Sequence, residues 1–188
     1  MTSDQALKRL IDGNARYAAG TPWQMGVTSE LRSHLYTKGQ SPYAAIVGCS
    51  DSRAPMELIF DAGPGELFVV RTAGNVVGIL EMGSLEFAVN GLKTPLIVVA
   101  GHQQCGAVKA AVEGGNFSPA LEAVIQEIRC CPHCVSDIDI NIVEDENIKH
   151  TLAKIAANPV IAKAVSEGSV KLAAAKYSLE TGIVSFFD

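Results

Sequence analysis

Two short stretches carry the residue types that could do chemistry. They are Cys49-Ser50-Asp51-Ser52-Arg53 and Gly101-His102-Gln103-Gln104-Cys105. Together they hold two thiols, an imidazole, a carboxylate and a guanidinium. Zn²⁺ prefers thiolate and imidazole, and catalytic zinc sites keep one position for water or substrate. Cys49, His102 and Cys105 supply three ligands. Cys105 is expected near a helix N-terminus, where the helix dipole favours its thiolate. The fourth position goes to water or to Asp51. Arg53 can hold the Asp51 carboxylate in a bidentate pair and keep it off the metal. With that pair made, the site is open and Asp51 accepts a hydrogen bond from zinc-bound water. With it broken, Asp51 closes the site as a fourth ligand. An open site generates a hydroxide nucleophile near neutral pH. A narrow mouth between two strand ends suits small electrophilic carbons such as CO₂ or COS.

Blander assignments compete with this one. Separately, Cys49 and Cys105 read as buried small residues and His102 as a strand-end histidine; the joint pattern makes that account poor. A purely structural zinc site needs neither Asp51 nor Arg53. Cys131-Pro132-His133-Cys134 has the form of a redox CxxC, but it follows a helical stretch rather than opening one after a first strand. With Cys130, it reads as surface thiols. Trp23 reads as a packing anchor, and His34 and His150 as solvated. No GxGxxG or GxxxxGK[ST] supports a nucleotide cofactor.

The elements that position the two stretches follow from periodicity. Tyr43–Gly48, Glu66–Arg71, Leu96–Ala100 and Val170–Leu179 read as strands, the first as a continuous apolar run covered on both faces. Cys49 stands at the carboxyl end of the first strand and His102 just beyond that of the third. Helices are expected over Asp4–Ala19, Thr28–Lys38, Ala54–Phe60, Met82–Leu92, Cys105–Val112, Leu121–Arg129, Asn147–Ala157 and Val160–Glu167. Glu180-Thr181-Gly182 signals a turn, so Ile183–Phe187 returns antiparallel at the sheet edge. Strands alternating with helices imply an α/β fold with a mostly parallel sheet flanked by helices. Ligands gather outside the carboxyl ends of such strands, where Cys49 and His102 fall. The two N-terminal helices need something to pack on, such as a partner subunit.

With 188 residues, one domain spanning 1–188 is expected, divided into a helical arm (1–40) and an α/β core (41–188). The balance of 15 Lys+Arg against 20 Asp+Glu gives no reason to expect nucleic acid or an anionic membrane as partner. Neither a membrane-length apolar run nor a signal-peptide pattern is present, which predicts a cytoplasmic chain. Five cysteines make an odd number for a disulfide framework.

The chain resembles the β-class carbonic anhydrases. The resemblance is carried by CxDSR (Cys49–Arg53) and HxxC (His102–Cys105), with Val47-Gly48 before the first and Gly106-Ala107-Val108 after the second. Pro64–Arg71, Ala73-Gly74-Asn75 and Tyr177–Gly182 also match, so the likeness covers most of the chain. It implies four parallel strands plus one antiparallel edge strand, and N-terminal helices wrapping a partner. It implies a homodimer, often assembled to a tetramer. It implies one Zn²⁺ per subunit on Cys49, His102 and Cys105, with Asp51 and Arg53 as a gating pair. Gln40, Phe68 and Phe87 fall at substrate-pocket positions, Gln40 across the dimer interface. Ile46 replaces the Trp of members with a non-catalytic bicarbonate site. Phe87 replaces a Tyr suggested for proton relay, and the segment from Asn75 to Met82 is short. The implied activity is reversible CO₂ hydration to bicarbonate and a proton. Hydrolysis of COS or carbon disulfide on the same zinc site is the alternative, and a catalytically silent zinc module a third.

Overall fold

The computed structural model describes residues 1–22, 27–129 and 139–187. Trp23 and the cysteines at 130, 131 and 134 lie outside the described residues. Five strands form one sheet: β1 (Ala44–Cys49), β2 (Leu67–Thr72), β3 (Leu96–His102), β4 (Lys171–Tyr177) and β5 (Val184–Phe187). Their order is β2-β1-β3-β4-β5; β1 to β4 run parallel and β5 pairs antiparallel with β4. The α/β architecture with one antiparallel edge strand is therefore as expected. β1 and β3 are buried along their whole length, because both sheet faces are covered. That is why these strands read as continuous apolar runs.

Eight helices accompany the sheet among the described residues: α1 (Ser3–Ala18), α2 (Ser29–Lys38), α3 (Met56–Ile59), α4 (Ile79–Asn90), α5 (Gly106–Glu113), α6 (Pro119–Arg129), α7 (Ile140–Ala156) and α8 (Pro159–Ser166). Alternate strand residues divide the core. Ile46, Val98 and Ala175 face α1 and α3; Val47, Val99 and Ala174 face α4, α7 and α8. A third cluster, from Cys49 and Cys105 to Ile125, Ile128 and Val143, sits around α5, α6 and α7.

The structure sharpens four expectations. First, α1 packs on the core of its own protomer. Thr2 and Gln5 cap it reciprocally, and Ala6 and Leu10 are buried in the core. Buried Asn14 donates to Ile59 O (3.2 Å) and Gly182 O (2.9 Å) and accepts the Val184 N–H (2.8 Å). α2 has no buried residue, and its Leu35 lies beside Gly65. Second, α7 begins at Ile140 rather than Asn147, with Asp139 accepting the Asn141 N–H. Buried Glu144 and Asn147 break the apolar period that would have revealed its first two turns. Third, α4 begins at Ile79, where Glu81 accepts the Gly78 N–H; exposed Ile79 and Leu80 hid its amphipathic start. Fourth, His102 is the last residue of β3 rather than beyond it, and α3 is a single turn entered from an extended Pro55.

Candidate metal centre

Register brings the two stretches together. Gly48 of β1 pairs with Ala100 of β3, so Cys49 ends its strand beside the end of β3, where His102 stands. Cys105 is the N-cap of α5 and directly follows a tight turn in which Gln104 takes φ +53°. The ligand atoms of Cys49, His102 and Cys105 all lie within 4.8 Å of one another, and all three residues are buried.

The turn between the ligands is held from several sides. Gln103 N–H donates to Tyr177 O at 3.0 Å, and His102 Nδ1 meets Gln103 O at 2.8 Å. That contact makes Nδ1 the N–H nitrogen and leaves Nε2 its lone pair. On the other side, Arg71 donates from Nε to Cys49 O (2.8 Å) and from Nη2 to Asp51 O (2.7 Å). The Gly74 N–H points at the Cys49 sulfur at 3.3 Å. Gly74 sits at φ +70°, and a Cβ there would lie 2.7 Å from Ile128 Cδ1, so a larger residue would be strained in presenting that N–H.

Three observations test whether a metal fits. Nε2 of His102 is buried without a hydrogen-bond partner. The two sulfurs are 3.9 Å apart, close to the ~3.8 Å that two sulfurs on one tetrahedral zinc require. The proton balance points the same way. The Cys49 thiol is pulled down to about 4 by the Cys105 thiol, with smaller help from His102 and the Asp51 and Gly74 N–H groups against the effect of burial. Cys105 is pushed far up by the same hydrogen bond, by burial and by the Cys49 charge. A cation between the sulfurs would favour the thiolate of both. Burial alone would lower His102, but the Cys49 sulfur and its charge, with the Gln103 carbonyl and Asp51, raise it. The residues fit Zn²⁺, and His102 would bind it through Nε2 as the neutral imidazole.

Asp51 and Arg53 form a fork beside the cluster. Oδ1 accepts the Arg53 N–H and Nε–H, both at 2.9 Å, and Oδ2 accepts Nη2–H at 2.7 Å. Nη2 also reaches Gln104 O at 3.3 Å, tying the two stretches to each other. These bonds, the side-chain ones first, hold the Asp51 carboxyl well below the usual carboxylate range. Its Oδ2 stands 3.8 Å from His102 Nε2.

The other expected site residues lie elsewhere in the protomer. Gln40 is exposed, just past the end of α2. Phe68 pairs in register with Ala45, four positions before Cys49, which is ~13 Å along a strand. Its ring packs on Phe87 of α4 at 6.2 Å between centroids, and Phe87 is 55% exposed. Reading the sequence passed over the residues behind the ligands. These are Arg71, Gly74 and Glu144, whose Oε1 accepts the Cys105 N–H at 3.0 Å. The signals available were an Arg closing an apolar strand and an acidic residue at a core-facing helical position.

Comparison with known proteins gives a consistent picture. Residues 44–184 match the family model described as "Carbonic anhydrase". The chain is 37% identical over 187 residues to a carbonic anhydrase of Mycolicibacterium smegmatis, covering 95% of this chain and 90% of that one. It is 36% identical over 185 residues to carbonic anhydrase 2 of Mycobacterium tuberculosis, covering 94% and 89%. Among solved structures, the β-carbonic anhydrase CcaA superposes with a TM-score of 0.76 at 27% identity, over 97% of this chain and 95% of that one.

Proposed function

The chain belongs to the β-class carbonic anhydrases, and from that premise we propose that it hydrates carbon dioxide reversibly to bicarbonate and a proton. The observation that carries this is the Cys49–His102–Cys105 cluster with a forked carboxylate beside it. Zinc, when bound, is a Lewis acid that brings the ionisation of a water into the neutral range.

The chain's own residues do the positioning. Cys49, His102 and Cys105 hold the ion. Asp51, with both oxygens held by Arg53, accepts a hydrogen bond from the attacking water and turns its lone pair toward the substrate carbon. Because its carboxylate is held there, the site works open. Release of Asp51 from Arg53 closes it. Gln40, Phe68 and Phe87 line the substrate pocket, Gln40 from across the boundary of a homodimer. The exposed apolar residues Ile79, Leu80 and Phe87 along α4 support a second copy covering this face. Phe87 carries no hydroxyl, so the proton leaves to solvent or buffer. No described helix is long and apolar enough to cross a membrane, and we place the enzyme in the cytoplasm.

The test is side-by-side rates of the zinc-loaded protein on CO₂ and on COS. Faster turnover of CO₂ is expected. A dominant COS rate would assign the chain to sulfide release, and no rate on either would leave a zinc module without catalysis.

A further inference from the structure

Behind the ligand turn lies a buried ion pair that neither metal binding nor the Asp51–Arg53 fork uses. Glu144 of α7 is 2% exposed. One oxygen accepts the Cys105 N–H at 3.0 Å and the other meets Lys176 Nζ at 2.9 Å. Lys176 comes from β4, at the register position beside Gly101. It also reaches Asp145 Oδ1 at 2.9 Å and donates to Asn141 O at 3.0 Å. One lysine thus fastens the start of α7 to the sheet, and α7 fastens the third metal ligand.

A buried carboxylate is costly unless paired and hydrogen-bonded, and an apolar side chain of similar volume often serves stability as well or better. Packing is therefore a weak reason for Glu144. Geometry offers a stronger one. Gln104 occupies left-handed backbone space that a non-glycine residue enters only when its surroundings hold it there. Gln103 N–H is held by Tyr177 O and Gln104 O by Arg53. The next amide, that of Cys105, is held by Glu144. With that amide fixed, the Cys105 sulfur is aimed at Cys49 and His102.

We propose that Glu144, anchored by Lys176, is a positioning residue of the metal centre, fixing the Cys105 backbone so that its sulfur faces the other two ligands in advance of the ion. This rests on the zinc centre described above. Groups that orient ligands in this way typically cost about 10–100-fold in metal affinity when changed.

Three variants separate this role from a merely structural one. Glu144→Asp keeps the charge for Lys176 but shortens the reach to Cys105; Glu144→Gln keeps the reach and an acceptor oxygen. Zinc affinity is measured by chelator competition, and the thiolate-to-cobalt charge-transfer band is recorded on the Co²⁺-substituted protein. Glu144→Asp should weaken zinc binding about 10–100-fold and shift the band, while Glu144→Gln restores both toward wild type. Unchanged affinity and band in Glu144→Asp overturn the proposal, even with a lowered melting temperature. So does an equal loss in Glu144→Gln. Should Glu144→Asp not fold, Lys176→Met decides: a weakened affinity supports the anchor and an unchanged one overturns it. A wild type that binds no zinc removes the metal centre and this proposal together.

Discussion

Asp51 is the side chain on which activity and metal binding come apart. Its two oxygens are taken by Arg53 rather than by any ligand residue. Glu or Asn at this position would leave the Cys–His–Cys cluster whole. Asp51→Asn should therefore keep its zinc, read by elemental analysis, and lose CO₂ hydration by about 10²-fold or more, since misplacing one reacting group by an ångström costs that much. Arg53→Ala frees the carboxylate to move onto the ion. It should also lose activity with zinc retained, and its Co²⁺ derivative should show a four-ligand protein site unlike that of Asp51→Asn. These roles were readable from residue types two positions apart. Arg71 and Glu144 were not, because each acts on a backbone atom distant in sequence (Cys49 O and Cys105 N–H).

α1 shows how an element can be legible in sequence while the surface it covers is not. Its approximate span follows from the apolar spacing, while the Thr2–Gln5 cap is seen in the structure, and the sequence alone leaves open which surface that stripe covers. Here it meets α3 at Gly13, where a Cβ would stand 2.0 Å from Phe60 O. Gly13→Ala should push the helix off its seat and destabilise the protein by ~1–3 kcal/mol, measured by urea unfolding. A neutral substitution would mean that α1 docks elsewhere. α7 makes the complementary case. Its first turns were hidden because the residues facing inward there, Glu144 and Asn147, are polar, Glu144 accepting from Cys105 N–H and Asn147 donating to Gly74 O at 2.8 Å. A helix that serves a site breaks the pattern by which helices are recognised.

Two outcomes belong to the assembled molecule. Zinc ties the ends of β1 and β3 to the start of α5, and any ligand that binds only the folded state stabilises it by mass action. Zinc-loaded protein should therefore melt higher than chelated protein, by an amount that grows with free zinc and corresponds to ~4 kcal/mol at a thousandfold excess over Kd. Calorimetry with and without a chelator measures this. The second concerns α4, whose Leu80 is 78% exposed next to Ile79 at 85%. If a second copy covers that face, Leu80→Glu should convert a dimer into a monomer by light scattering and reduce CO₂ turnover, because pocket residues would no longer come from a partner. A wild-type monomer with full activity would refute that arrangement.

The sequence by itself determined the chemistry and the layer structure. Thiolate, imidazole and a forked carboxylate are identified by residue type and short spacing. A parallel sheet announces itself through fully apolar strands, since both phenomena are local along the chain. The tertiary structure decided which strand ends adjoin, that α1 folds back on its own sheet, and which buried charges stand behind the ligands. Those depend on register and on contacts such as Glu144 to Cys105 and Asn14 to Val184. Their energies arise only when distant segments exclude water together, so no local pattern encodes them.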